Sequence, residues 1–184
     1  QRLVDGLRRM EYRGYDSAGI CVVADNQLIR RRASGKLINL VGVLEREPVT
    51  GLTGIAHTRW ATHGAPTTSN AHPHATSELA LVHNGIIENF KPLREALIAR
   101  GRKFESETDT EVVAHLVSER IEAGDTPQQA VKAVLPQLRG AFALAIAFRA
   151  HDDMLIGARL GSPLVVGFGD DETYLGSDAL ALAP

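Results

Sequence analysis

The chain has one cysteine in 184 residues, Cys21, so no disulfide can form within it and a disulfide-stapled scaffold is excluded. No apolar run approaches the ~20 residues needed to span a bilayer, and no charged-then-apolar leader opens the sequence. A basic excess is also missing: 20 Lys and Arg stand against 22 Asp and Glu, a net charge of −2. Affinity for phosphate backbones needs such an excess, so nucleic acid is excluded as a partner. Repeats, low-complexity tracts and linkers are absent too. What is present, 44% apolar and 23% charged side chains, fits one soluble, cytoplasmic domain with its own core.

Hydrophobic spacing sets out the elements. Residues 1–11 place Leu3, Val4, Leu7 and Met10 on one helical face, with no cap, Pro or Gly before them. That helix therefore reads as one whose start lies upstream. Ser17–Ala24 has the β-branched density of a buried strand, Asp25-Asn26 reads as a turn, and 27–33 as the hairpin partner. A helix is expected at 36–45, then strands at 53–58 and 79–83 across a polar loop at 64–77. Pro92 suits the first position of a helix that Gly101 closes. Further helices follow at 111–123 and from Thr126-Pro127, then strands at 142–148, 154–158, 164–167 and 173–175. A central block of helices between groups of adjacent strands predicts antiparallel neighbours in layers, not a doubly wound array.

Polar residues gather at three strand ends or turns, where scaffolds commonly hold active-site groups. They are IAHTRWATHG at 55–64, VHNGIIEN at 82–89 and SETDTE at 106–111. Each has a plain structural reading. Asn84-Gly85 is a common hairpin dipeptide. Ser106-x-x-Asp109 and Thr108-x-x-Glu111 both fit a capping box, and Arg59 beside Trp60 fits a surface pair. His72 and His74, with His57, His63 and His83, invite a metallohydrolase reading, but the spacing matches no tight zinc signature and no metal is expected. Cys21 sits in an apolar strand with no adjacent base, which marks core packing, not a nucleophile.

Taken in order, the clusters carry a resemblance. LRRMEYRGYDSAG at 7–19, GIAHTRWATHG at 54–64, NAHPH at 70–74, HNGIIEN at 83–89 and SETDTE at 106–111 are continued by LRG at 138–140 and GSP at 161–163. The chain resembles the glutaminase (type-2 glutamine amidotransferase) domains of the glutamine–fructose-6-phosphate aminotransferase family, from end to end. Amidotransferases that feed phosphoribosyl or asparagine chemistry resemble it around Asn84-Gly85, but their arginine and histidine segments read differently.

The resemblance implies an α+β fold of the N-terminal-nucleophile hydrolase type, a four-layer αββα sandwich with two mainly antiparallel sheets between helical layers. It also implies a chemistry: the thiolate of an N-terminal cysteine attacks the carboxamide of L-glutamine, and the α-amine of that cysteine carries the proton. An α-amine titrating near ~7.7–8 suits such a base. Glutamate and ammonia result, and no cofactor is implied. In full-length members the ammonia passes to a sugar-phosphate isomerase domain that makes glucosamine-6-phosphate, and the proteins form homodimers.

By position, Arg59 would hold the substrate carboxylate with its planar fork. Asp109 would hold the ammonium, and Trp60, Thr62 and His63 would line the pocket. Asn84 and the Gly85 backbone N–H would form the oxyanion hole, with glycine allowing close approach. Arg13 would sit near the nucleophile and His72 at the coupling face. The family's opening cysteine-glycine strand and its isomerase domain are not among these 184 residues, and Gln1 matches a position inside the first helix. The expectation is a glutamine pocket lacking its first strand and nucleophile. A glutamine-binding module without catalysis, or the glutaminase domain of a related amidotransferase, is the alternative.

Overall fold

In the computed structural model, which describes residues 1–14 and 16–182 with the Arg13 side chain excepted, the expected layers are present. Helix α1 (Arg2–Met10) runs into a short 3₁₀ turn and then strand β1 (Ser17–Ala24). β1 forms a hairpin with β2 (Gln27–Ser34), and Asp25 and Asn26 both take positive φ, 51° and 57°. Two left-handed residues are what a two-residue turn needs to match strand twist. Helix α2 (Leu37–Arg46) and β3 (Thr53–Arg59) follow, and β3 pairs antiparallel with the other side of β1, giving the order β2-β1-β3.

A second sheet contains β4 (His74–Ala75), β5 (Leu79–Gly85), β6 (Phe142–Phe148) and β7 (His151–Leu160), antiparallel and in that order. Helices α3 (Phe90–Ala99), α4 (Glu111–Glu122) and α5 (Pro127–Val134) cover its outer face. Strands β8 (Val165–Gly169) and β9 (Glu172–Gly176) form a separate hairpin.

The period-2 alternation of side chains assigns each residue a layer. On β1, Ala18, Ile20 and Val22 pack under α1 and α2 with Leu7, Leu37 and Leu40. Cys21 and Val23 face the other way, onto Ala80 of β5 and Ala147 of β6. On β6, Phe142, Leu144, Ile146 and Phe148 pack against the helices with Leu79, Leu81 and Val113. The seam between the sheets thus joins the small Cys21, Ala80 and Ala147 with Val23 and Ile55, while aliphatic side chains fill the seam under α1 and α2, and aliphatic and aromatic ones the seam under α3, α4 and α5. Burial on both faces explains the unbroken apolar run of β1.

Three local expectations are corrected. α3 begins at Phe90, so Pro92 is its third residue, still within the first turn where an N–H has no i−4 carbonyl to lose. The stretch 70–74, read as part of a polar loop, is buried throughout, and its last residue opens β4. Asn84-Gly85 is no hairpin turn: β5 runs through it and pairs with Ala143 and Phe142. Thr126 and Gln129, by contrast, close a reciprocal capping box on α5.

The alanine seam has little room to grow. Ala80→Leu is expected to cost about 1–3 kcal/mol by overpacking, measured as a lowered urea midpoint at unchanged m-value.

Candidate active site

Each of the three polar clusters reaches the same cavity from a different element. The cavity holds about 1090 Å³ and is lined by residues of α1, β3, the second sheet and the β8–β9 hairpin. β3 is the edge of its sheet, paired only with β1 among the described residues. Its C-terminal end brings Arg59, Trp60, Thr62 and His63 to the cavity wall. From the second sheet come Asn84 and Gly85, and from the turn before α4 comes Asp109. His72 lines the wall between them. Arg13 was expected nearby, but its side chain lies outside the described residues.

Arg59 is 4% exposed, a cation that must find partners where it lies. Its guanidinium donates to three successive carbonyls, those of His63, Gly64 (3.1 Å) and Ala65 (3.2 Å), curling the chain around it. Burial pulls its pKa below the ordinary arginine value, while the charges of Asp16 and Asp109 work against that fall. Asp16 also accepts from the Ala61 N–H, and its own N–H donates to the Arg59 carbonyl at 3.2 Å. That half-buried anchor in the EYRGYDSAG segment had no role in the sequence reading.

The SETDTE segment is not a capping box. The N-cap of α4 is Thr110, which caps nothing with its side chain. The Glu111 carboxylate instead accepts from the backbone N–H groups of Glu105 (2.8 Å) and Ser106 (2.7 Å) and from the Ser106 hydroxyl (2.6 Å). This folds the segment back over the start of the helix. Asp109 is left facing the cavity, with Oδ2 accepting from the Ile87 N–H at 2.7 Å, and with His63 and His83 nitrogens 3.9 Å away.

Gly85 has φ +135°, and a Cβ there would lie 2.1 Å from the Ala141 carbonyl oxygen. Glycine is therefore demanded by the neighbouring strand as well as by whatever approaches from the cavity. Thr110 was also not foreseen. Its hydroxyl lies 3.1 Å from His72 Nε2 and 2.9 Å from His83 Nδ1, joining two buried imidazoles. His72 stacks near His57 at 4.3 Å and His74 at 4.7 Å, and His74 Nε2 meets the Thr108 hydroxyl at 3.0 Å. Among the described residues no three His, Cys, Asp or Glu side chains converge as metal ligands would. Cys21 is fully buried in the sheet seam, and burial pushes its thiol up to about 12.

Residues 57–184 match the family model described as a glutamine amidotransferase domain. The chain belongs to this family. Among curated glutamine–fructose-6-phosphate aminotransferases (isomerizing), it is 68% identical over 184 residues to that of Zymomonas mobilis and 62% over 183 residues to that of Brucella abortus. All of this chain is covered in both comparisons, but it spans only about 30% of the length of either relative. Among solved structures it is similar to the glutamine phosphoribosylpyrophosphate amidotransferase of B. subtilis, at TM-score 0.85 and 29% identity over 99% of this chain and 40% of that one. An allosteric regulatory enzyme of purine biosynthesis is similar at TM-score 0.86 and 29% identity, with the same coverage. The amidotransferase fold is thus the one that the resemblance implied.

Buried histidines give the amidotransferase domain a pH signature. Burial holds His72 and His83 below the ordinary imidazole range, and His74 down to about 3, so all three fold as neutral rings. The unfolded chain takes up their protons below ~6.5, so stability is full above that pH and drains as pH falls toward the folded values. Glu111, held at about 2, adds to the loss only below the ordinary carboxylate range. Urea midpoints are expected to fall steadily from pH 6.5 to 4.5, and less steeply in His74→Gln.

Proposed function

We propose that the chain binds L-glutamine as a zwitterion and forms the glutaminase half of an aminotransferase. The observation that carries this is the convergence of a buried cation, a buried carboxylate and an amide–glycine pair on a single cavity. Arg59 holds the α-carboxylate and Asp109 the α-ammonium, so charge at both ends selects an amino acid. Trp60, Thr62 and His63 line the space between. Asn84 Nδ2 and the Gly85 N–H receive the carboxamide oxygen as it becomes an oxyanion.

The nucleophile comes from an upstream segment that enters the cavity beside the open edge of β3. The cavity there is lined by residues of α1, β3, the second sheet and the β8–β9 hairpin, and β3 pairs only with β1 among the described residues, leaving an edge that a further strand could join. A cysteine at the head of that segment attacks the carboxamide carbon through its thiolate. Collapse of the tetrahedral intermediate breaks the C–N bond and releases ammonia, with the cysteine α-amine delivering the proton. Water then cleaves the thioester, giving glutamate and the free thiol. The ammonia goes to a sugar-phosphate isomerase domain of the same polypeptide, which converts fructose-6-phosphate to glucosamine-6-phosphate, in a cytoplasmic homodimer. His72, buried in the cavity wall, is assigned a role in coupling to that domain. High identity to aminotransferases three times its length supports this assignment over the related amidotransferases.

The 184 residues alone are expected to bind glutamine by calorimetry but to release no ammonia; the same chain extended upstream through its cysteine turns glutamine over. Arg59→Ala and Asp109→Ala each weaken binding by about tenfold or more, the worth of a charge-assisted contact. Asn84→Ala in the extended chain lowers kcat by about 10²–10³. Unchanged affinity in both charge variants, or turnover by the short chain, would overturn the assignment.

A further inference from the structure

We propose that Asn70 is a positioning residue that fixes the spacing between the two ends of the amino-acid subsite, by tying the loop around Arg59 to the segment that carries Asp109. The inference rests on the roles proposed for Arg59 and Asp109.

Asn70 is 1% exposed although it lies in a polar stretch of chain, and both ends of its amide are engaged. Nδ2 donates to the Ala65 carbonyl at 3.0 Å and to Glu107 Oε2 at 3.2 Å, and Oδ1 accepts from the Glu107 N–H at 2.9 Å. The Ala65 carbonyl is the one that also accepts from Arg59 Nη1. Glu107 stands two residues before Asp109. Three hydrogen bonds thus lead from the guanidinium to the carboxylate-bearing segment, across a gap of some fifty residues in sequence.

The contact is close enough to dictate its neighbours. Gly64 has φ +78°, and a Cβ there would lie 2.6 Å from Asn70 Nδ2, so the amide packs directly on the backbone that also supplies a carbonyl to Arg59. The chain on either side of Asn70 is held from behind. Arg32 donates to the carbonyls of Ser69 (3.0 Å) and Ala71 (3.1 Å) and pairs with Glu105 at 2.5 Å, and Arg30 pairs with the same carboxylate at 2.9 Å. Both peptide segments joined by Asn70 are thereby anchored to β2.

The position needs asparagine chemistry. An aspartate keeps the acceptor for the Glu107 N–H but loses the donor to Ala65 and sets a second negative charge against the Glu107 carboxylate. A ligand gripped at both ends is sensitive to a small change in the distance between the grips. The attacking and oxyanion groups lie on other elements and stay where they are.

The test is glutamine hydrolysis by the full-length protein that carries this chain. Asn70→Asp is expected to raise KM for glutamine about tenfold while kcat stays within about twofold, because only the binding geometry is loosened. Adding Glu107→Gln removes the charge clash but leaves the Ala65 carbonyl without its Asn70 donor, so KM recovers only in part. Glu107→Ala, an exposed truncation, raises KM about two- to threefold with an unchanged melting temperature. Parallel falls in kcat and thermal stability with no KM change, or full recovery of KM in the double variant, would overturn the proposal. If Asn70→Asp does not fold, Glu107→Ala decides: an unchanged KM there refutes it. Wild-type protein that does not hydrolyse glutamine refutes the amidotransferase pocket itself, a result separate from any outcome for Asn70.

Discussion

A buried guanidinium sets the conditions for the rest of this site. Removing a cation from water is costly unless every polar direction is answered, and at Arg59 the answers come from the carbonyls of residues 63–65 and the charges of Asp16 and Asp109. Each answer constrains something else. The carbonyls force the chain to curl at the end of β3, which turns Trp60, Thr62 and His63 toward the cavity. Asp16 fixes the entry to β1 against the exit from β3. Asp109 must lie in the turn before α4, and Glu111 shapes that turn from within the helix.

Much of the architecture was legible because it follows from side-chain alternation. The continuous apolar run of β1 and the Phe-Ala-Leu-Ala-Ile-Ala-Phe pattern of β6 describe strands with a wide face and a narrow face. Their bounds could be read to the residue. Periodicity says which face is large but not what meets it, so the stacking of the two narrow faces came from the resemblance and not from spacing.

The site was legible as three clusters and illegible as a network. Asn-Gly and Ser-x-x-Asp carry strong local meanings as turn and cap, and here the tertiary structure overrides both. Gly85 answers to a carbonyl on the neighbouring strand, and Glu111 satisfies peptide N–H groups five and six residues back. Thr110, Asp16 and Asn70 act through partners about 25 to 45 residues away, a range at which a single sequence gives no pairing signal. The burial of 70–74 was hidden for the same reason: a polar segment can go inside when distant groups satisfy it.

The cysteine in the sheet seam has a practical corollary. Its sulfur is shielded from solvent and its proton is held far above neutrality, so Cys21 offers almost no thiolate to an electrophile. A fluorophore, spin label or crosslinker directed at sulfur will therefore pass over Cys21 and mark the proposed upstream nucleophile instead. The residue most easily mistaken for the nucleophile is the one that such reagents leave untouched.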